Sequence, residues 1–179
     1  MVVQRQLNWM LHKLELLLLR SEKLTLRHTP IFIIGAPRSG STLLYQVMVD
    51  YFDVSFLSNL HNFFYGAPSF VERVAAIFHR SSDATYESEY GYVKGLFSPH
   101  EAWNFWYQFF PRSPHYIDST DLPSIKKHEL RSAIVAFESA GNKPLLFKNL
   151  YNSLRCEAIA KVLPEAVFVV MHRSLLENA

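Results

Sequence analysis

The sequence predicts an α/β domain of three layers, a parallel sheet between helices, with a phosphate-binding loop and a helical, aromatic-rich insertion. Three observations carry that class. Short apolar runs at 30–35, 144–148 and 167–171 alternate with stretches of helical spacing, the order of strand–helix–strand units in a parallel sheet. A glycine-bearing turn, Gly35-Ala36-Pro37-Arg38-Ser39-Gly40, separates the first run from the helix that follows it. Residues 51–116 hold 19 of the 26 Phe, Tyr and Trp residues, which sets the middle of the chain apart from both flanks.

Taken in order, the first element is helical. Leu7, Leu11, Leu14 and Leu18 recur at i, i+4, i+7 and i+11, one face of an amphipathic helix over 4–21. We expect it, within a segment 1–29, to pack on a single domain 30–179. Lys13 and Glu15 interrupt its apolar stretch, which is neither the ~20 residues of a membrane span nor a secretory leader. Pro30 to Gly35 reads as a buried parallel strand, and Ser41 starts a helix through Leu43, Leu44, Val47 and Met48. Pro68 to His79 reads as helix, 81–99 as loop and Glu101 to Phe110 as a short aromatic helix. Asp121 to Ala140 is a further helix with Leu130, Ile134 and Phe137 on one face and Gly141 as its stop. Pro144 to Lys148 is the second strand. A helix carrying Leu154, Ala158 and Val162 on one face follows and ends at Pro164. Val167 to Met171 is a third buried strand, running into His172-Arg173.

Composition removes several function classes. With 18 Lys+Arg against 16 Asp+Glu and a net charge of +2, the chain is neither a nucleic-acid coat nor a polybasic membrane binder. At 49% hydrophobic residues it is not disordered. Its one cysteine, Cys156, leaves the fold independent of oxidation, and no Cys/His spacing suits zinc. A metal-free, cytoplasmic protein is expected.

The chemistry concentrates at the loop. Between a buried strand and a helix, glycines allow a tight turn whose backbone N–H groups converge on an anion at the helix N-terminus. The spacing matches the phosphate-loop pattern G-x-x-x-x-G-K-[ST], except that Ser41 replaces the lysine and the cation moves to Arg38. A triphosphatase would use that lysine and an Asp at a strand end to hold magnesium. Here the later strands end in Lys148 and in His172-Arg173. Cations in those places suit a polyanion handled without a metal. A phosphate-loop enzyme of another kind, such as a small-molecule kinase, and a non-catalytic nucleotide-binding or interaction domain remain the alternatives.

Ile33 to Leu44 resembles the 5′-phosphosulfate loop of the sulfotransferases that use 3′-phosphoadenosine 5′-phosphosulfate (PAPS). Phe168 to Arg173 resembles the strand whose terminal arginine binds the donor's 3′-phosphate, and Leu145 to Asn149 the strand whose lysine lies near the sulfuryl group. Phe56 to Leu60 and Ser98 to Glu101 are similar to bacterial members of the carbohydrate-type branch. The resemblance implies that Arg38, Ser39, Gly40, Ser41, Thr42 and Leu43 hold the 5′-phosphosulfate, that Arg173 takes the 3′-phosphate, and that a carbohydrate hydroxyl accepts the group. It also implies a serine and a basic loop after Ala179, hence a domain incomplete at its C-terminus.

Transfer needs a base for the acceptor proton and cations for the leaving phosphate. Lys148 supplies one cation. Some members carry a histidine two residues after that lysine, where this chain has Leu150. Others carry a glutamate about twenty residues after the loop, where it has Ser58-Asn59-Leu60-His61. His61 and Glu101 are therefore the candidate bases, ahead of His100. Most rings of Trp103 to Phe110 are expected to fill core, a few to line an acceptor pocket.

Overall fold

The computed structural model describes residues 2–19, 25–77, 86 and 92–174. Among these residues four parallel strands form one sheet: β1 (Ile31–Gly35), β2 (Ser55–Phe56), β3 (Leu145–Lys148) and β4 (Val167–Met171), in the order β2-β3-β1-β4. Ile31 pairs with Leu146 on one side and Val167 on the other, so β1 is central. Side chains alternate along each strand. Phe32, Leu145 and Phe147 face one apolar cluster, while Ile33 and Leu146 face another with Tyr45 and Phe56. Helix α2 (Ser41–Tyr51), which carries Tyr45, covers that second face.

The first face holds the larger core. Its ceiling is α5 (Trp103–Trp106), α6 (Ser124–Gly141) and α7 (Cys156–Val162), with α3 (Asn59–Phe63) and α4 (Pro68–Ile77) beside them. Phe32 sits between the rings of Phe147 and Phe168, 5.0 and 5.4 Å away, with Trp106 at 6.0 Å. Phe105, Trp106, Phe109 and Phe110 are all buried there, so most of the aromatic insertion is core. Aromatic burial of this kind supplies a large share of a domain's hydrophobic stabilisation.

Several boundaries differ from expectation for local reasons. α5 is four residues long because Ala102 enters it in the left-handed region, φ 48°. Leu154 lies in a 3-10 helix, Leu150–Leu154, and α7 starts only at Cys156. Gly141 does not stop α6. The stop is Asn142, left-handed at φ 49° with its N–H on the Glu138 carbonyl, 2.7 Å. Gly141 is needed for closeness instead, since a Cβ there would strike Ser55 Oγ. Of the expected loop 81–99, only Tyr86 and 92–99 are described, and they include an isolated bridge from Ser58 to Pro99. Residues 78–79 and 20–21, at the expected ends of two helices, lie outside the described residues.

Two expectations about burial are corrected. β4 is an edge of the sheet among the described residues, and Val170 is 68% exposed rather than buried. Helix α1 (Val2–Leu19) does dock, but Leu7 and Leu14 of the expected leucine face take no part in it. Among its described side chains Asn8 and Glu15 are the buried ones, Leu11 is half-buried, and Leu7 and Leu14 are exposed. Asn8 donates to the Phe63 carbonyl at 3.0 Å and accepts from Gly66 N–H at 2.8 Å, and Glu15 accepts from Ser69 N–H at 3.0 Å. These groups cap backbone left unpaired between α3 and α4, so polarity rather than apolarity fixes the helix. Gly66 allows the approach, because a Cβ there would meet the Asn8 carbonyl.

Candidate functional site

The carboxyl ends of β1, β3 and β4 meet at one edge of the sheet, with Gly35 paired to Met171 and Lys148 to Ile33. Chain connections diverge at β1, toward β2 and β3 on one side and β4 on the other. In open α/β sheets that divergence opens a crevice for ligands.

The 35–42 loop fills the crevice floor. Gly35 packs so close to β4 that a Cβ would lie 2.7 Å from the Met171 carbonyl. Gly40, at φ 87°, turns the chain into α2 and offers no side-chain cap. The first helical bond runs from Leu44 N–H to the Gly40 carbonyl, 3.1 Å. The N–H groups of Ser41, Thr42 and Leu43 therefore have no i−4 carbonyl and point out of the helix end with its positive dipole. Ser39 Oγ is buried without a hydrogen-bond partner among the described residues. A buried hydroxyl normally has one, and its place beside the uncapped helix fits an anion. Arg38 is exposed at mid-loop with φ 64°. Its carbonyl accepts from Arg173 Nη1 at 3.3 Å, which ties the end of β4 to the loop.

Lys148 reaches the same place from β3. Its ammonium donates to Thr42 Oγ1 at 3.1 Å and makes a very short ion pair with Glu101. Both are buried, Lys148 at 4% and Glu101 at 7% exposure. Glu101 is held from three sides. Its second carboxylate oxygen accepts from Leu150 N–H at 3.3 Å, and its carbonyl accepts from Asn149 Nδ2 at 3.0 Å. His100 stands next to it. Burial, aided by the positive charge of Lys148, lowers its pKa and keeps it neutral. Its Nδ1 accepts from Ala102 N–H at 2.7 Å, so the ring proton sits on Nε2.

His61 lies elsewhere. It is fully buried, with Nδ1 2.8 Å from Ser58 Oγ, Nε2 3.5 Å from Glu72 and its ring against Phe137. Ser58 and His61 form the capping box of α3. The structure thus brings together Arg38, Ser39, Gly40, Ser41, Thr42, Leu43, Lys148, Glu101 and Arg173, and leaves His61 in a structural network.

Sequence reasoning missed two supports. Ser153 Oγ accepts from Gly35 N–H at 3.0 Å and donates to the Gly35 carbonyl at 3.2 Å, latching the 3-10 helix to the loop. Asn149 caps that 3-10 helix at Tyr151 N–H while holding Glu101. Its place directly after a strand-end lysine was the available signal, as Asn is a strong cap former. Just after Glu101 and Leu150 in the chain, Trp103 meets Tyr151 at 4.7 Å and Tyr151 stacks on His115 at 3.8 Å, all half-buried.

Comparison with known proteins adds one decisive finding: the model of the sulfotransferase family matches residues 30–179. The chain belongs to the sulfotransferase family. No curated protein and no solved structure gives a match. In this sulfotransferase-family chain no described helix is long and apolar enough to cross a membrane. Among the described residues, no His/Cys/Asp/Glu group of three or more could hold a metal ion.

Proposed function

We propose that the chain transfers a sulfuryl group from PAPS to a hydroxyl of a carbohydrate. The observation that carries this reading is the convergence of Lys148 and Thr42 with Glu101 at the uncapped end of α2. The loop N–H groups, Ser39 Oγ and Arg38 bind the phosphosulfate, and Arg173 takes the 3′-phosphate. Lys148 leaves Glu101 for the oxygen bridging phosphorus and sulfur, where negative charge grows. Glu101 then accepts the acceptor's hydroxyl proton as that oxygen bonds to sulfur. The S–O bond to the phosphate breaks, and its electron pair goes to the leaving phosphate. Glu101 is the base in this reading because it pairs with Lys148, whereas His61 is engaged by Ser58, Glu72 and Phe137. Neutral His100, with its proton on Nε2, donates rather than accepts.

The half-buried, mutually packed rings of Trp103 and Tyr151, which follow Glu101 and Leu150 closely in the chain, support a sugar acceptor, whose apolar face stacks on such surfaces. A cytoplasmic setting, consistent with the lone Cys156, belongs to the same proposal. Titration calorimetry with adenosine 3′,5′-bisphosphate is the direct test: binding is expected, and silence would favour a non-catalytic interaction domain. Sulfuryl transfer should persist in chelator. Activity abolished by chelation would point instead to a magnesium-dependent phosphoryl transferase.

A further inference from the structure

The polar docking of α1 leaves its apolar side outside. Val3, Leu7, Met10, Leu14 and Leu17 are between 41% and 77% exposed. Their spacing is 4, 3, 4 and 3 residues, the repeat of a helix–helix seam rather than of a helix lying on a flat surface. Most helices with such a stripe bury it against their own core. This one cannot, because Gln4, Asn8, His12 and Glu15 already occupy the inner face.

We infer that this face is the contact between two copies of the chain, formed by antiparallel pairing of α1 with α1 about Met10. Turning a second copy end over end sets Val3 against the second copy's Leu17 and Leu7 against its Leu14. Lys13, beside the seam, then faces the second copy's Gln6 and no like charge is opposed. The arrangement is isologous, uses the whole seam and closes as a dimer.

Area supports the same occupant. Gln4 and Asn8 both donate to the Phe63 carbonyl and Glu15 accepts from Ser69 N–H. Phe63, at that carbonyl, and Phe70, next to Ser69, are themselves 52% and 64% accessible on the segments that α1 docks against. At their 41–77% exposure, seven side chains of roughly 150–200 Å² each present about 700 Å² of apolar surface. A standard stable interface takes about 800 Å² from each partner. A lipid surface is less well matched. Interfacial helices carry a Lys/Arg-rich polar face, whereas the polar face here is spent on the chain's own backbone and, among the described residues of α1, only Arg5 and Lys13 are exposed cations.

Sedimentation velocity of the full chain across the micromolar range tests this. A dimer is expected. Leu7→Glu with Leu14→Glu should raise its dissociation constant by roughly 100-fold or more, since the pairing would bury charge. Arg5→Glu, away from the seam, should leave it unchanged. Both leucines are exposed, and an unaltered far-UV circular dichroism spectrum will show that the variant folds. In a Cys156→Ser background, Met10→Cys should form an intermolecular disulfide on mild oxidation, a readout that keeps the seam intact. A monomer at all concentrations, a dimer indifferent to the double variant, or Met10→Cys chains that do not cross-link would each overturn the inference. So would a monomer that floats with phosphatidylcholine–phosphatidylserine vesicles, which would assign the face to lipid.

Discussion

At the scale of single residues, the buried Lys148–Glu101 pair is where stability and chemistry meet. Each charge is kept in the protein interior by the other, so removing one leaves an uncompensated charge at about 3–5 kcal/mol. Lys148→Met should therefore lower the unfolding free energy by about that much, and Lys148→Met with Glu101→Gln should recover most of it. Denaturant melts of the three proteins decide the point; additive losses would mean the pair is not coupled. Glu101→Gln alone keeps shape but cannot take a proton, and its turnover should fall by about 10²–10⁴ with donor affinity unchanged. An equal fall in affinity would place Glu101 among the binding groups. In the loop, Arg38→Ala should weaken donor binding about ten- to hundred-fold by calorimetry, and Arg38→Lys by less. These residues were legible in the sequence because their spacing and neighbours carry chemistry: glycines around a cation, a lysine at a strand end, a carboxylate after Pro99. The preference for Glu101 over His61 was not. His61 looks like a base in the sequence, and only the packing of Ser58, Glu72 and Phe137 around it reveals a cap.

At the scale of elements, α1 shows why periodicity names a helix but not the side it buries. The leucine repeat predicts the helix, yet Asn8 and Glu15 dock it because Gly66 and Ser69 offer backbone N–H groups needing acceptors. Burial raises the Glu15 pKa from 4.5 to about 7. The folded chain thus holds a proton there that the unfolded chain has already lost. Docking is fully supported below about pH 4.5, weakens as pH rises, and levels off above about 7, an effect of at most ~3 kcal/mol. Protection of α1 amides in hydrogen exchange should fall over that interval and be flat in Glu15→Gln. A slope retained in Glu15→Gln would assign the effect to another group. Gly66→Ala should free α1 at any pH, since its methyl group meets the Asn8 backbone. β2 was illegible for a different reason. Two residues carry no period, and Ser55–Phe56 becomes a strand only because Leu145 and Leu146 lie beside it.

At the scale of the whole molecule, the sheet order decides which strand ends share the crevice. Central β1 sets Lys148 on one side of the loop and Arg173 on the other. Alternating apolar runs were enough to predict a parallel sheet, but order and edges depend on contacts between residues 90 or more positions apart, which no local pattern encodes. Arg173 illustrates the consequence. It follows an edge strand, is exposed, and still spans to the Arg38 carbonyl across the mouth of the loop. In the proposed reading, a single guanidinium so placed serves a second phosphate without touching the loop N–H groups assigned to the first. Arg173→Ala should bring the affinities for adenosine 3′,5′-bisphosphate and adenosine 5′-monophosphate close together, removing a preference of about ten- to hundred-fold. Binding of the monophosphate should stay near its original value, because Gly40, Ser39 and the α2 N-terminus are unchanged. If instead both nucleotides weaken in parallel, the arginine acts by bracing the loop through the Arg38 carbonyl. Retention of the full preference would leave it a surface residue with no share in the nucleotide.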